Sequence, residues 1–66
     1  MKDLKLKNGQ IAKFLYINRW SKPVYQLESG TKVCANGLNG IGDLHVITPE
    51  YEEPDFPLDD EFQPIE

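Results

Sequence analysis

The chain has 66 residues, 39% of them hydrophobic and 27% charged, a balance that excludes collagenous, fully disordered and membrane-embedded chains and leaves room for one small globular domain. Cys34 is the only cysteine and His45 the only histidine, so no intrachain disulfide can form and no zinc set, other metal site or cofactor is expected. The formal net charge of −4 hides a split, because residues 1–48 carry seven Lys/Arg and three Asp/Glu whereas residues 49–66 carry eight Asp/Glu and no Lys or Arg.

In "LKLKNGQIAKFLYI" two apolar-containing runs flank Asn8-Gly9, a dipeptide that suits a two-residue type I′ turn and so predicts a β-hairpin. Leu4 and Leu6 alternate with Lys5 and Lys7, which places the leucines on one face and the ammonium groups in water. In the second strand simple alternation puts Ile11, Lys13, Leu15 and Ile17 on one face and Phe14 and Tyr16 on the other. The competing assignment is a short helix near residues 10–18, since Ile11, Phe14 and Leu15 have i, i+3, i+4 spacing. The β-branched and aromatic content of "FLYI" favours the strand.

"INRWSKP" reads as a connection, with Pro23 holding Lys22 extended. "VYQLESGTKVCA" predicts a second hairpin turning at Ser29 and Gly30. "NGLNGIGD" reads as a loop, without the GK[ST] or G-x-G-x-x-G context of a phosphate cradle. "LHVIT" predicts the last strand before Pro49. The fold class expected is mainly β: a small bent antiparallel sheet or SH3-like barrel of about five strands with an extended acidic C-terminal tail, the alternative being α+β with the short helix. Residues 1–48 form the β-domain, and residues 49–66 an acidic, proline-containing tail, packed on the body or partly disordered.

The tail nevertheless contains Tyr51, Phe56, Leu58, Phe62 and Ile65, more apolar surface than a purely solvating segment needs. "PDFP", Pro54 to Pro57, has the spacing of a polyproline II ligand. The leading functional expectation is a protein–protein interaction through Tyr51, Glu53, Pro54, Asp55, Phe56, Pro57 and Phe62, with an unidentified protein or a second copy as partner and the carboxylates providing steering. The alternative is a weak nucleic-acid-binding surface in which Lys13, Arg19 and Lys22 pair with phosphates while Trp20 and Tyr25 stack on bases, autoinhibited by the tail.

Catalysis is not expected. Asp59, Asp60 and Glu61 sit together, but a loose tail does not hold an acid and a base in reacting geometry. Cys34 falls in a strand, where a buried inert thiol is the expected role, and lone His45 is expected to be a partly buried strand residue. No run approaches the roughly 20 apolar residues of a membrane span, and the start "MKDLKLKNG" has no apolar leader region, so a cytoplasmic location is expected. Finally, "RWSKPVY" at 19–25 together with "EPDFP" at 53–57 resembles a pattern of small uncharacterised domains of bacterial phages and mobile elements. The resemblance implies no activity; it implies that Trp20, Pro23, Val24 and Tyr25 pack near Pro54 to Pro57.

Overall fold

Six antiparallel strands pair strictly in sequence order: β1 (Leu4–Lys5), β2 (Ile11–Ile17), β3 (Pro23–Gln26), β4 (Lys32–Ala35), β5 (Leu44–Ile47) and β6 (Pro54–Pro57). The computed structural model describes residues 2–37 and 42–65, so residues 38–41 of the sequence-predicted glycine-rich loop lie outside the described residues. The fold is mainly β, as expected, and the segment around residues 10–18 is strand β2 rather than a helix. The sheet is open, with β1 and β6 at its ends, so the strands do not close into a barrel. The sixth strand comes from the acidic tail, which sequence alone leaves extended but unpaired.

Three of the hairpins turn through the same three-residue loop. Leu6, Asn18 and Leu27 each donate their N–H to the carbonyl four residues on (Gln10, Lys22 and Thr31) and accept from the N–H three residues on (Gly9, Ser21 and Gly30). The third residue of each loop then takes positive φ: 90° at Gly9, 59° at Ser21 and 95° at Gly30. This corrects the type I′ expectation at Asn8-Gly9. That turn needs positive φ at both central residues, and Asn8 is not among the residues that have it. Asn8 instead accepts the Gln10 N–H through its side chain at 2.9 Å, which holds the longer loop.

A bulge in β2 decides which side chains meet. Phe14 lies opposite Tyr25 and Tyr16 opposite Val24, so Leu15 has no cross-strand counterpart and Tyr16 points to the face opposite Phe14. Sequence alternation had placed Phe14 and Tyr16 together; the extra residue separates them. One face then buries Leu6, Ala12, Tyr25, Leu27, Val33, Ala35 and Leu44, with Leu4, Phe14, Leu58 and Phe62 packed against them. The Phe14 and Tyr25 rings meet edge to face at 5.7 Å, an arrangement that adds about 0.5–1.5 kcal/mol to their burial. On the other face Tyr16, Val24, Cys34 and His45 form a cross-strand row in which Val24 and Cys34 are fully buried.

The tail beyond β6 completes the core. Leu58 and Phe62 pack on it, the latter at the end of a 3-10 turn over Asp60–Phe62. The chain then returns to β1, where Leu6 bridges Pro64, Lys7 N–H donates to Gln63 O, and Ile65 N–H donates to Lys5 O. Lys7 also meets Asp60 at 2.8 Å, an exposed pair of the kind that contributes about 0–1 kcal/mol. The side chain of Gln63 is buried and acts as a spare peptide group. Its carbonyl accepts from Leu44 N–H at 2.6 Å, and its amide donates to Leu58 O at 2.9 Å and Leu44 O at 3.3 Å. The first of these bonds satisfies the buried Leu44 N–H and the second the Leu58 carbonyl, while Leu44 O shares the Gln63 amide with the Leu58 N–H.

Candidate functional site

Strand β6 ends the sheet, so one of its sides has no neighbouring strand. Its pairing with β5 is irregular: His45 lies opposite Pro57 and Ile47 opposite Pro54, leaving Asp55 and Phe56 together opposite Val46. Bulges of this kind re-aim side chains at sheet edges. Phe56 is 61% exposed, the most exposed large apolar side chain among the described residues. Asp55 and Pro57 on either side of it are exposed as well, and Pro54 is half-buried. Prolines at both ends of β6 lack the N–H that an added strand would need, so the edge is poorly suited to extending the sheet and better suited to recognition through side chains.

The loop leading into β6 is strapped to the far side of the sheet. Thr48 N–H donates to Glu53 O at 3.0 Å, Glu52 N–H to Thr48 O at 2.9 Å, and Glu53 N–H to the Thr48 hydroxyl at 3.1 Å. From this loop Glu52 accepts the Tyr16 hydroxyl on its carboxylate and the Asn18 amide on its carbonyl, while Tyr51 O accepts the Trp20 indole N–H at 2.8 Å. The strap thus runs from the end of β5 to the end of β2, past β3 and β4. Among the described residues the non-glycine residues with positive φ, Ser21 (59°) and Glu52 (56°), sit in the two loops it joins. Tyr51 and Trp20 remain 55% and 47% exposed.

Electrostatics follow from these contacts. The bond to Glu52 raises the Tyr16 hydroxyl above its ordinary value, since an anionic phenolate beside a carboxylate is disfavoured. Burial raises Cys34 likewise, and burial, with Asp3 nearby, raises Tyr25. The Lys32 ammonium stands 5.8 Å from the centroid of the Tyr16 ring, within cation–π range.

Of the tail residues read as partner-binding, Tyr51, Glu53, Asp55, Phe56 and Pro57 are exposed on the strap and β6. Phe62 is corrected: it packs against the core and is not an available anchor. Of the alternative surface, Lys13 and Arg19 are exposed and Lys22 is half-buried. Trp20 has its N–H committed to Tyr51. Tyr25 is corrected: it is fully buried among Leu6, Val33 and Leu44, so it cannot stack on a base. Of Trp20, Pro23, Val24 and Tyr25, for which the resemblance implies packing near Pro54 to Pro57, the three on β3 are separated from β6 by β4 and β5, and Trp20 reaches Tyr51 in the loop before β6. Cys34 is buried and His45 is a half-buried strand residue, as expected. Among the described residues no His, Cys, Asp and Glu side chains gather in a group able to hold a metal ion, and no helix is long and apolar enough to cross a membrane.

Sequence reasoning missed Glu52 and Gln63. Nothing local marks either one: Glu52 is one of several tail acids, and Gln63 owes its role to where the returning chain places it. Comparison of the chain with protein-family models, curated proteins and solved structures gives no match.

Proposed function

We propose that this is a non-enzymatic, cytoplasmic interaction domain that binds another protein through the β6 edge. Phe56 is the apolar anchor, Tyr51 is a second exposed ring on the loop that leads into β6, and Glu53 and Asp55 form a charged rim. The observation that carries this reading is the bulge at Asp55 and Phe56, which leaves a phenyl ring 61% exposed on the terminal strand between two prolines. A ring held in that position costs free energy in water, and docking it in an apolar pocket recovers about 1–2 kcal/mol by area alone. Interface anchors have this character, while rim carboxylates act on association rate and partner choice more than on affinity. The partner surface that fits is an apolar pocket with a cationic rim.

The test is an amide NMR titration of the full chain with a synthetic peptide alternating lysine and leucine, alongside a single-stranded oligonucleotide. Shifts confined to residues 50–57 on peptide addition, lost in Phe56→Ser, are expected. Shifts at Lys13, Arg19 and Lys22 with quenching of Trp20 on oligonucleotide addition, and none with peptide, would overturn the reading in favour of nucleic-acid binding.

A further inference from the structure

A second surface has the features that the Phe56 edge requires of a partner. Thr31, Lys32, Val46, Ile47, Thr48, Pro49 and Glu52 line an open groove of about 370 Å³. That volume lies at the low end of the range for binding clefts, about 300–1,000 Å³, and is ample for a phenyl ring. Val46, Ile47 and Pro49 supply its apolar lining. Lys32 supplies a cation that, among the described residues, has no carboxylate within ion-pair distance and rests against the Tyr16 ring. Glu52, the one acid of the lining, already accepts the Tyr16 hydroxyl.

From this pairing of shapes and charges we infer that the chain self-associates, with Phe56 of one copy seated in the Lys32–Pro49 groove of a second copy and Asp55 or Glu53 meeting Lys32. The inference rests on the reading of the β6 edge as a protein-binding surface and names the occupant. Knob and groove are different residues of the same chain, so two copies related by a two-fold axis form the contact twice. The net charge of −4 on each copy opposes association only at long range, where physiological salt screens it over about 8 Å, whereas the contact between Lys32 and Asp55 or Glu53 acts at short range.

Sedimentation velocity of the full chain from micromolar to millimolar concentration tests this. A concentration-dependent dimer is expected, weakened about tenfold or more by Phe56→Ser and by Lys32→Glu. Both side chains are exposed, and circular dichroism checks that each variant is folded. Mixing the two variants is the sharper arm. The Lys32→Glu chain keeps an intact knob and the Phe56→Ser chain an intact groove, so the mixture associates through its one intact contact more strongly than either variant does alone. A wild-type chain that is monomeric throughout, or a dimer indifferent to both substitutions, overturns the inference. If that monomer still binds the lysine–leucine peptide through Phe56, the β6 edge stands as a protein-binding surface and only the second copy falls; if it binds neither, both readings fall.

Discussion

Gln63 shows how much one side chain can carry in a domain of this size. Its amide lies where a further strand's peptide group would lie, giving Leu44 an acceptor for its N–H and sharing the carbonyls of Leu44 and Leu58. Replacing it with leucine keeps the bulk and leaves the buried Leu44 N–H and the part-buried Leu58 carbonyl without these partners, while Leu44 O keeps the Leu58 N–H, at roughly 1–3 kcal/mol for each unsatisfied group. Gln63→Leu is therefore expected to lose about 3 kcal/mol in urea unfolding with an unchanged m-value. Phe56→Ser, on the exposed edge, is expected to shift the midpoint hardly at all. The contrast between Phe56 and Phe62 was hidden in the sequence. Both are aromatic rings in acidic surroundings, and only the bulge in β6 and the 3-10 turn decide that one faces water and the other the core.

At the scale of elements, the strands were legible and the irregularities were not. Alternation in "LKLK", the β-branched and aromatic content of β2, and the glycines at 9 and 30 mark hairpins because each reports a local preference. The bulges at Leu15 and at Asp55–Phe56 depend on how neighbouring strands register, which no window of sequence contains. The strap is of the same kind: Tyr16 and Glu52 are far apart in the chain and meet only once β2 to β5 have formed. It also makes the fold sensitive to alkali. Tyr16, Tyr25 and Cys34 are all raised above their ordinary values in the folded chain. Each therefore holds its proton more firmly folded than unfolded. The stability they contribute is fully present below the unfolded values, near 9 for the thiol and 10 for the phenols, and is lost as pH rises through the raised folded ones. Urea midpoints are expected to be flat across neutral pH and to fall above about pH 9, with a shallower fall in Tyr16→Phe.

For the molecule as a whole, the division into a cationic body and an acidic tail describes charge but not architecture. β6, Leu58, Phe62 and Gln63 all come from residues after Thr48, and all complete a sheet and core begun before it. Removing residues 58–65 takes away two core side chains and the Gln63 bonds, about 5 kcal/mol together. A domain of 66 residues has about 3–10 kcal/mol in all. The shortened chain is expected to be unfolded by circular dichroism and amide dispersion, whereas an independent tail would leave the β-domain spectrum intact. Composition could not show this, because prolines and acids are as frequent in disordered tails as in this ordered one.

The return of the chain to β1 bears on how the protein is made. Leu6 is bridged by Pro64, and Lys5 and Lys7 bond main chain to Ile65 and Gln63. Until residues 63–65 have left the ribosome's exit tunnel, β1 lacks its outer partner and Leu44 lacks its Gln63 amide, so the sheet cannot reach its final form. Such distant pairings also slow folding, since the loop must close before the contacts form. Synthesis that stops short of Gln63 would release a chain with an unfinished core, ready prey for cellular proteases.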